Sequence, residues 1–121
     1  MYIVRSDAGE SREGTTFSGV ARLTPMIPAQ KDQGMKLTMV EFIDGAVTNW
    51  HDHPGEQILY IVDGKGRVGD GDQEYEVFPG DAIHFGPGER HWHGAAEGHN
   101  MRHLSITNIG SPNWHDDNPF A

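Results

Sequence analysis

A chain of 121 residues with 18 acidic and 9 basic side chains has a formal charge of −9, and no Lys/Arg cluster relieves it. Nucleic acid and anionic membrane are therefore excluded as partners, since both need a row of cations. The absence of cysteine removes a disulfide framework, a thiolate metal site and a cysteine nucleophile.

Residues 1–16 read as a polar arm with a short leading strand at Tyr2–Val4. No basic stretch followed by an apolar one marks a signal peptide there. The longest apolar run is the five residues Ile58–Val62, where a membrane helix needs ~20. A cytoplasmic protein is the expectation.

From residue 17 to 109 the pattern is that of one β domain. Sustained helical spacing is absent, and Gly or Pro interrupts nearly every longer stretch. Strands are expected at Phe17–Leu23, Met35–Ile43, Val47–His53, Gln57–Val62, Arg67–Gly69, Glu74–Phe78, Ala82–Phe85, His91–Ala96 and Met101–Asn108. The turns between them include Asp44-Gly45, Pro54-Gly55, Asp63-Gly64 and Pro87-Gly88, with Asp70-Gly71 as a hairpin. So many short strands make a sandwich, jelly roll or barrel. Residues 110–121 form a tail with two aromatics, Trp114 and Phe120, which either plugs a barrel end or packs on a neighbouring subunit.

The chemistry concentrates in 49-NWHDHPGEQILYIVDG-64 and 86-GPGERHWHGA-95. In a strand, residues two apart share a face at ~6.6 Å, so His51 and His53 can aim both rings at one ion. Gln57 returns after the Pro54-Gly55 turn, while Glu56 points to the opposite face. His91 and His93 repeat the alternation. Pairing the two segments would complete a His/His/Gln/His shell. By the same parity Trp92 faces outward and suits a contact between subunits, and His84 faces outward. His99 and His115 are expected in solvent.

These segments resemble the two motifs of the cupin superfamily. Gly45, His51, His53 and Gly64 fit the first motif, with Gln57 where Glu is usual. Gly80, Gly88 and His91 fit the second, which departs at Gly86 and Ala95. The resemblance implies a double-stranded β-helix, the jelly-roll barrel. A narrower likeness joins HxHPxxQ and PGERHWHGAAEGHNMRHLSI to small cupins associated with carboxymuconolactone decarboxylase and to the manganese-dependent bacterial cupin hydroxynitrile lyases. It implies one divalent ion, with Mn ahead of Fe, Ni or Zn, on His51, His53, Gln57 and His91. It also implies acid–base work for His103 and a pocket wall at Thr38, Val40 and Thr107.

A neutral amide in place of a carboxylate leaves such a site at +2 rather than +1. It holds metal less tightly but is the stronger Lewis acid. His93, two beyond His91, is a further inward group for acid–base chemistry. His103, Ser105 and Thr107 share one strand face. If that face is inward, His103 has a pKa suited to proton transfer near neutrality; otherwise it is a core histidine bonded to a backbone carbonyl.

The expected function is metal-dependent lyase, isomerase or oxygenase chemistry on a small hydroxy or carbonyl compound. The alternatives are a non-catalytic cupin that binds a small ligand, and a cupin dioxygenase or polyketide cyclase. A homodimer is expected, because pairing would cover exposed sheet edges, Trp92 and the aromatic tail.

Overall fold

The computed structural model describes residues 1–115 and 117–120. No helix among them is long and apolar enough to cross a membrane. Among the described residues thirteen strands follow one another: β1 Arg12–Glu13, β2 Phe17–Ser18, β3 Ala21–Ile27, β4 Lys36–Phe42, β5 Val47–Thr48, β6 His51–Asp52, β7 Gln57–Gly64, β8 Gly66–Gly69, β9 Glu74–Val77, β10 Ala82–Phe85, β11 Trp92–Ala95, β12 Met101–Thr107 and β13 Asn113–Trp114. They form a six-stranded sheet in the order β1-β3-β4-β12-β7-β10, a five-stranded sheet β2-β5-β11-β8-β9, and the small pair β13-β6. Neighbouring strands run antiparallel, as β12 does against both β4 and β7. The jelly-roll expectation is met.

Alternation explains how the sheets close on a core. In β7 the side chains of Gln57, Leu59 and Ile61 are buried while Ile58 and Tyr60 are exposed. Between the sheets, Phe42, Leu59, Ile61, Phe85, Val68 and Met101 form the apolar half of the interior. The other half is histidine. Across the large sheet, Val40 faces His103, which faces Ile61, and Thr38 faces Ser105, which faces Leu59. A bulge between Arg102 and His103 skips Val62 in this register, and the residues beyond it keep one inward face.

Three expected strand boundaries move. No strand forms at Tyr2–Val4, where Tyr2 and Ile3 are exposed. The short arm strand lies instead at Arg12–Glu13, against Leu23 and Arg22 of β3. The span Phe17–Leu23 breaks at Gly19, whose φ of 87° lies in the left-handed region open to glycine. The span Val47–His53 turns a corner at Asn49–Trp50: β5 joins β11, whereas His51 bridges His91. The Asp70-Gly71 hairpin forms as expected, with Asp70 Oδ1 accepting from the Asp72 and Gln73 amides.

Trp92 corrects the outward reading, being 3% exposed. It pairs with Gly69, whose missing side chain makes room for the indole: a Cβ there would lie 2.6 Å from Trp92 Cζ2. Phe120 then meets the indole edge-on at 5.0 Å, and the Arg67 guanidinium lies 4.3 Å from the Phe120 ring. The tail thus covers Trp92 within the chain, so Trp92 gives no ground for a dimer.

Candidate metal centre

The β6–β11 corner brings the two histidine pairs together. His51 and His91 exchange backbone hydrogen bonds of 2.9 and 2.8 Å, which sets their ring centroids 4.3 Å apart. The ring N–H groups are directed by carbonyls two residues back. His51 Nδ1 donates to Asn49 O at 2.9 Å, and His91 Nδ1 to Glu89 O at 2.8 Å. In each neutral ring this leaves Nε2 as a bare lone pair. Phe85 stacks on His91 at 3.6 Å and 10°, holding the ring plane. Gly94 permits the close approach of β5 to β11, since a Cβ there would sit 2.5 Å from Val47 Cα.

Gln57 donates from Nε2 to Ser105 Oγ at 2.9 Å, which turns its Oε1 toward His91 Nε2, also at 2.9 Å. With His91 Nδ1–H committed to Glu89, two acceptors face each other. A cation between them resolves the conflict with the amide as it stands; without one, the amide would have to be reversed.

His53 is 5% exposed and neither of its ring nitrogens has a hydrogen-bond partner. Its ring lies 5.2 Å from His51 and 5.6 Å from His91. His93 Nδ1 lies 3.0 Å from His103 Nε2, and the outer nitrogens His93 Nε2 and His103 Nδ1 are also unpartnered. The backbone N–H of His93 donates to Thr48 Oγ1 at 3.1 Å. Orphaned buried polar atoms are costly, and here they fall on three histidines of one interior, His53, His93 and His103.

The nitrogens of His51, His91 and His93 lie within 4.8 Å of one another. This triad includes His93 rather than the expected ligand His53. Gln57 joins it through His91.

Electrostatics keep the cluster neutral. Burial is the main cause that lowers every pKa here: well below the usual range for His51 and His93, and to about 4 for His91 and His103. His53 is also lowered, first by burial and, as a lesser effect, by the Lys36 ammonium nearby. The near-neutral pKa expected for His103 is therefore corrected: its ring is wholly buried. A pH prediction follows. The unfolded chain protonates these histidines near 6.5 and the fold resists it, so the unfolded state binds more protons below 6.5. Metal-free protein should keep its stability above that pH and lose it as pH falls toward about 4, the value for His91 and His103. The slope is ~1.4 kcal/mol per pH unit per histidine. Urea midpoints at pH 7 and pH 5 check it; equal midpoints would contradict it.

The cluster opens into a cavity of about 560 Å³. Thr38, Val40, His93, His103, Ser105 and Thr107 all line it. His103 is thus on the inward face, with His93 Nδ1 as the hydrogen-bond partner of its Nε2. Elsewhere His84 is outward, paired with Glu56 at 2.7 Å, and His99 is exposed. His115 is not in free solvent: it meets Asp52 Oδ2 at 3.0 Å. Asn113 and Trp114 pair with Asp52 and His51, and the indole lies 4.4 Å from the His51 ring. The tail packs on its own barrel, with Trp114 at the cavity. Lys36, Arg12 and Thr48 are site residues that strand parity did not single out.

The pattern of the cupin domain matches residues 38–107, more than half of the chain. The chain belongs to the cupin family. This cupin is 38% identical over 109 residues to an (R)-mandelonitrile lyase from Granulicella tundricola, covering 88% of this chain and 83% of that protein. Among solved structures, a cupin-like protein from Thermotoga maritima superposes with a TM-score of 0.80 at 27% identity, over 95% of this chain and 87% of that one. A polyketide cyclase from Streptomyces resistomycificus superposes with a TM-score of 0.79 at 20% identity, over 98% of this chain and 88% of that one, a likeness of fold.

Proposed function

We propose that this cupin is a metal-dependent lyase acting on a small hydroxy compound of the cyanohydrin class. The observation that carries the reading is the opposition of His91 Nε2 and Gln57 Oε1, two acceptors 2.9 Å apart in a buried pocket. It favours a cation held by His51, His53, Gln57 and His91. His53 is chosen over His93 because both of its nitrogens lack partners, whereas His93 already shares one with His103. Three imidazoles and an amide oxygen suit a six-coordinate ion with open positions, and manganese is the proposed metal. When bound, such an ion supplies Lewis-acid polarisation of a substrate oxygen.

The chain's own residues supply the rest. With its Nε2 proton donated to His93 Nδ1, His103 keeps an unpartnered lone pair at Nδ1, and the residue lines the cavity. It takes the hydroxyl proton as the C–C bond to the nitrile breaks. The oxygen's electrons form the carbonyl, the bond pair leaves with cyanide, and His103 returns the proton to give hydrogen cyanide. Ser105 fixes the Gln57 amide. Thr38, Val40 and Thr107 bound the substrate, and the cavity volume of about 560 Å³ lies in the usual small-ligand range. The identity to an (R)-mandelonitrile lyase supports this choice of substrate.

Protein purified without chelator should carry close to one divalent ion per chain and cleave (R)-mandelonitrile, and chelation should remove both. Full turnover by metal-free protein would sink the reading. We also propose a homodimer. The outer face of the large sheet aligns Leu37, Met39, Ile58, Tyr60, Leu104 and Ile106 in register, with Ile58 and Tyr60 over 40% exposed. Sedimentation as a monomer at micromolar concentration would exclude it.

A further inference from the structure

We infer that the native substrate carries a carboxylate, and that Lys36 and Arg12 at the cavity mouth seat it. This rests on the lyase reading of the same site and names the substrate class. Five of the nine cations, Arg22, Lys65, Arg67, Arg90 and Arg102, have carboxylate partners among the described residues. Lys36 and Arg12 have none there, and both line the cavity. Among the described residues the other charged side chain on that wall is Glu13, so their lining sums to +1 in a chain of −9. Two of the four cations without a carboxylate partner among the described residues thus line the pocket.

Register places them to reach a bound molecule. Lys36 opposes Thr107, which opposes Gln57. The lysine is therefore two strand spacings, ~10 Å, from the amide that faces His91. A small cyanohydrin that bears a carboxylate and the flexible lysine stem fill that gap between them. Arg12 opposes Leu23, Leu23 opposes Val40, and Val40 opposes His103, a second row ending at the proposed base. Lys36 is half-buried, and its ammonium donates to Gly110 O at 3.3 Å, leaving donors for an anion. The candidate ligands include no carboxylate, so the protein itself does not neutralise a dication there. A substrate anion would.

The test compares mandelate with mandelamide, nearly equal in shape but different in charge, by calorimetric binding to protein with and without added manganese. Native protein should bind mandelate about tenfold more tightly. Lys36→Met should remove about tenfold of mandelate affinity and leave mandelamide unchanged, while Lys36→Arg should restore it. Arg12→Gln should show the same selectivity with a smaller loss, and metal content should equal the native value in every variant. No preference in native protein, or a Lys36→Met variant that keeps it, overturns the proposal. If native protein binds no metal, the lyase reading fails separately, and the metal-free comparison still decides Lys36.

Discussion

Replacing His53 by alanine should strip most of the divalent ion from the protein and abolish turnover with it. The loss is large because the proposed shell has no anionic ligand. Removing one imidazole leaves two neutral nitrogens and an amide oxygen, none of which strengthens to compensate. The fold should survive, because His53 makes no side-chain hydrogen bond to lose. His93→Ala is the control that separates the two candidate triads. It should retain metal, since His93 is engaged by His103. Full occupancy in His53→Ala together with loss in His93→Ala would move the site onto the triad of His51, His91 and His93.

His103→Ala should do the reverse, keeping metal near one ion per chain while lowering turnover by about 10²–10⁴, the usual value of a positioned proton-transfer group. His103 lies on the cavity wall but outside the proposed ligand set. Its partner nitrogen on His93 gives the proton a path that alanine removes. A cavity lined by Phe42 and Val40 would be left behind, so a drop in stability of about 2–4 kcal/mol is expected as well. Metal content therefore has to be measured on folded protein. Loss of metal would make His103 a ligand, and unchanged turnover would reduce it to a packed core residue.

The site was legible in outline because its signals are local. Two HxH units on strands place their rings by parity alone, and the burial of His51, His53, Gln57, His91 and His93 follows that alternation. Glu56 is exposed against His84, as the same rule requires. Trp92 shows where the rule stops. Parity set it on the opposite face from His91 and His93, but whether that face meets solvent depends on Gly69 across the strand and on Phe120 in the tail. Neither is near it in sequence. The pKa of His103 failed for a related reason: an imidazole near neutrality assumes water at the ring, and closure of the two sheets removes it.

By itself, the sequence determined the all-β class, most strand positions along the chain, the exclusion of thiolate chemistry and the inward set of histidines. Each of these depends on residue type or on a period of two. The tertiary structure decided what no local period carries. It set His51 against His91, turned the Gln57 oxygen toward the His91 lone pair, and folded the tail over Trp92. It also brought Lys36 and Arg12 to the mouth of the cavity. These contacts join residues far apart in the chain, and their geometry is set by strand register and a bulge, which exist only once the sheets have paired.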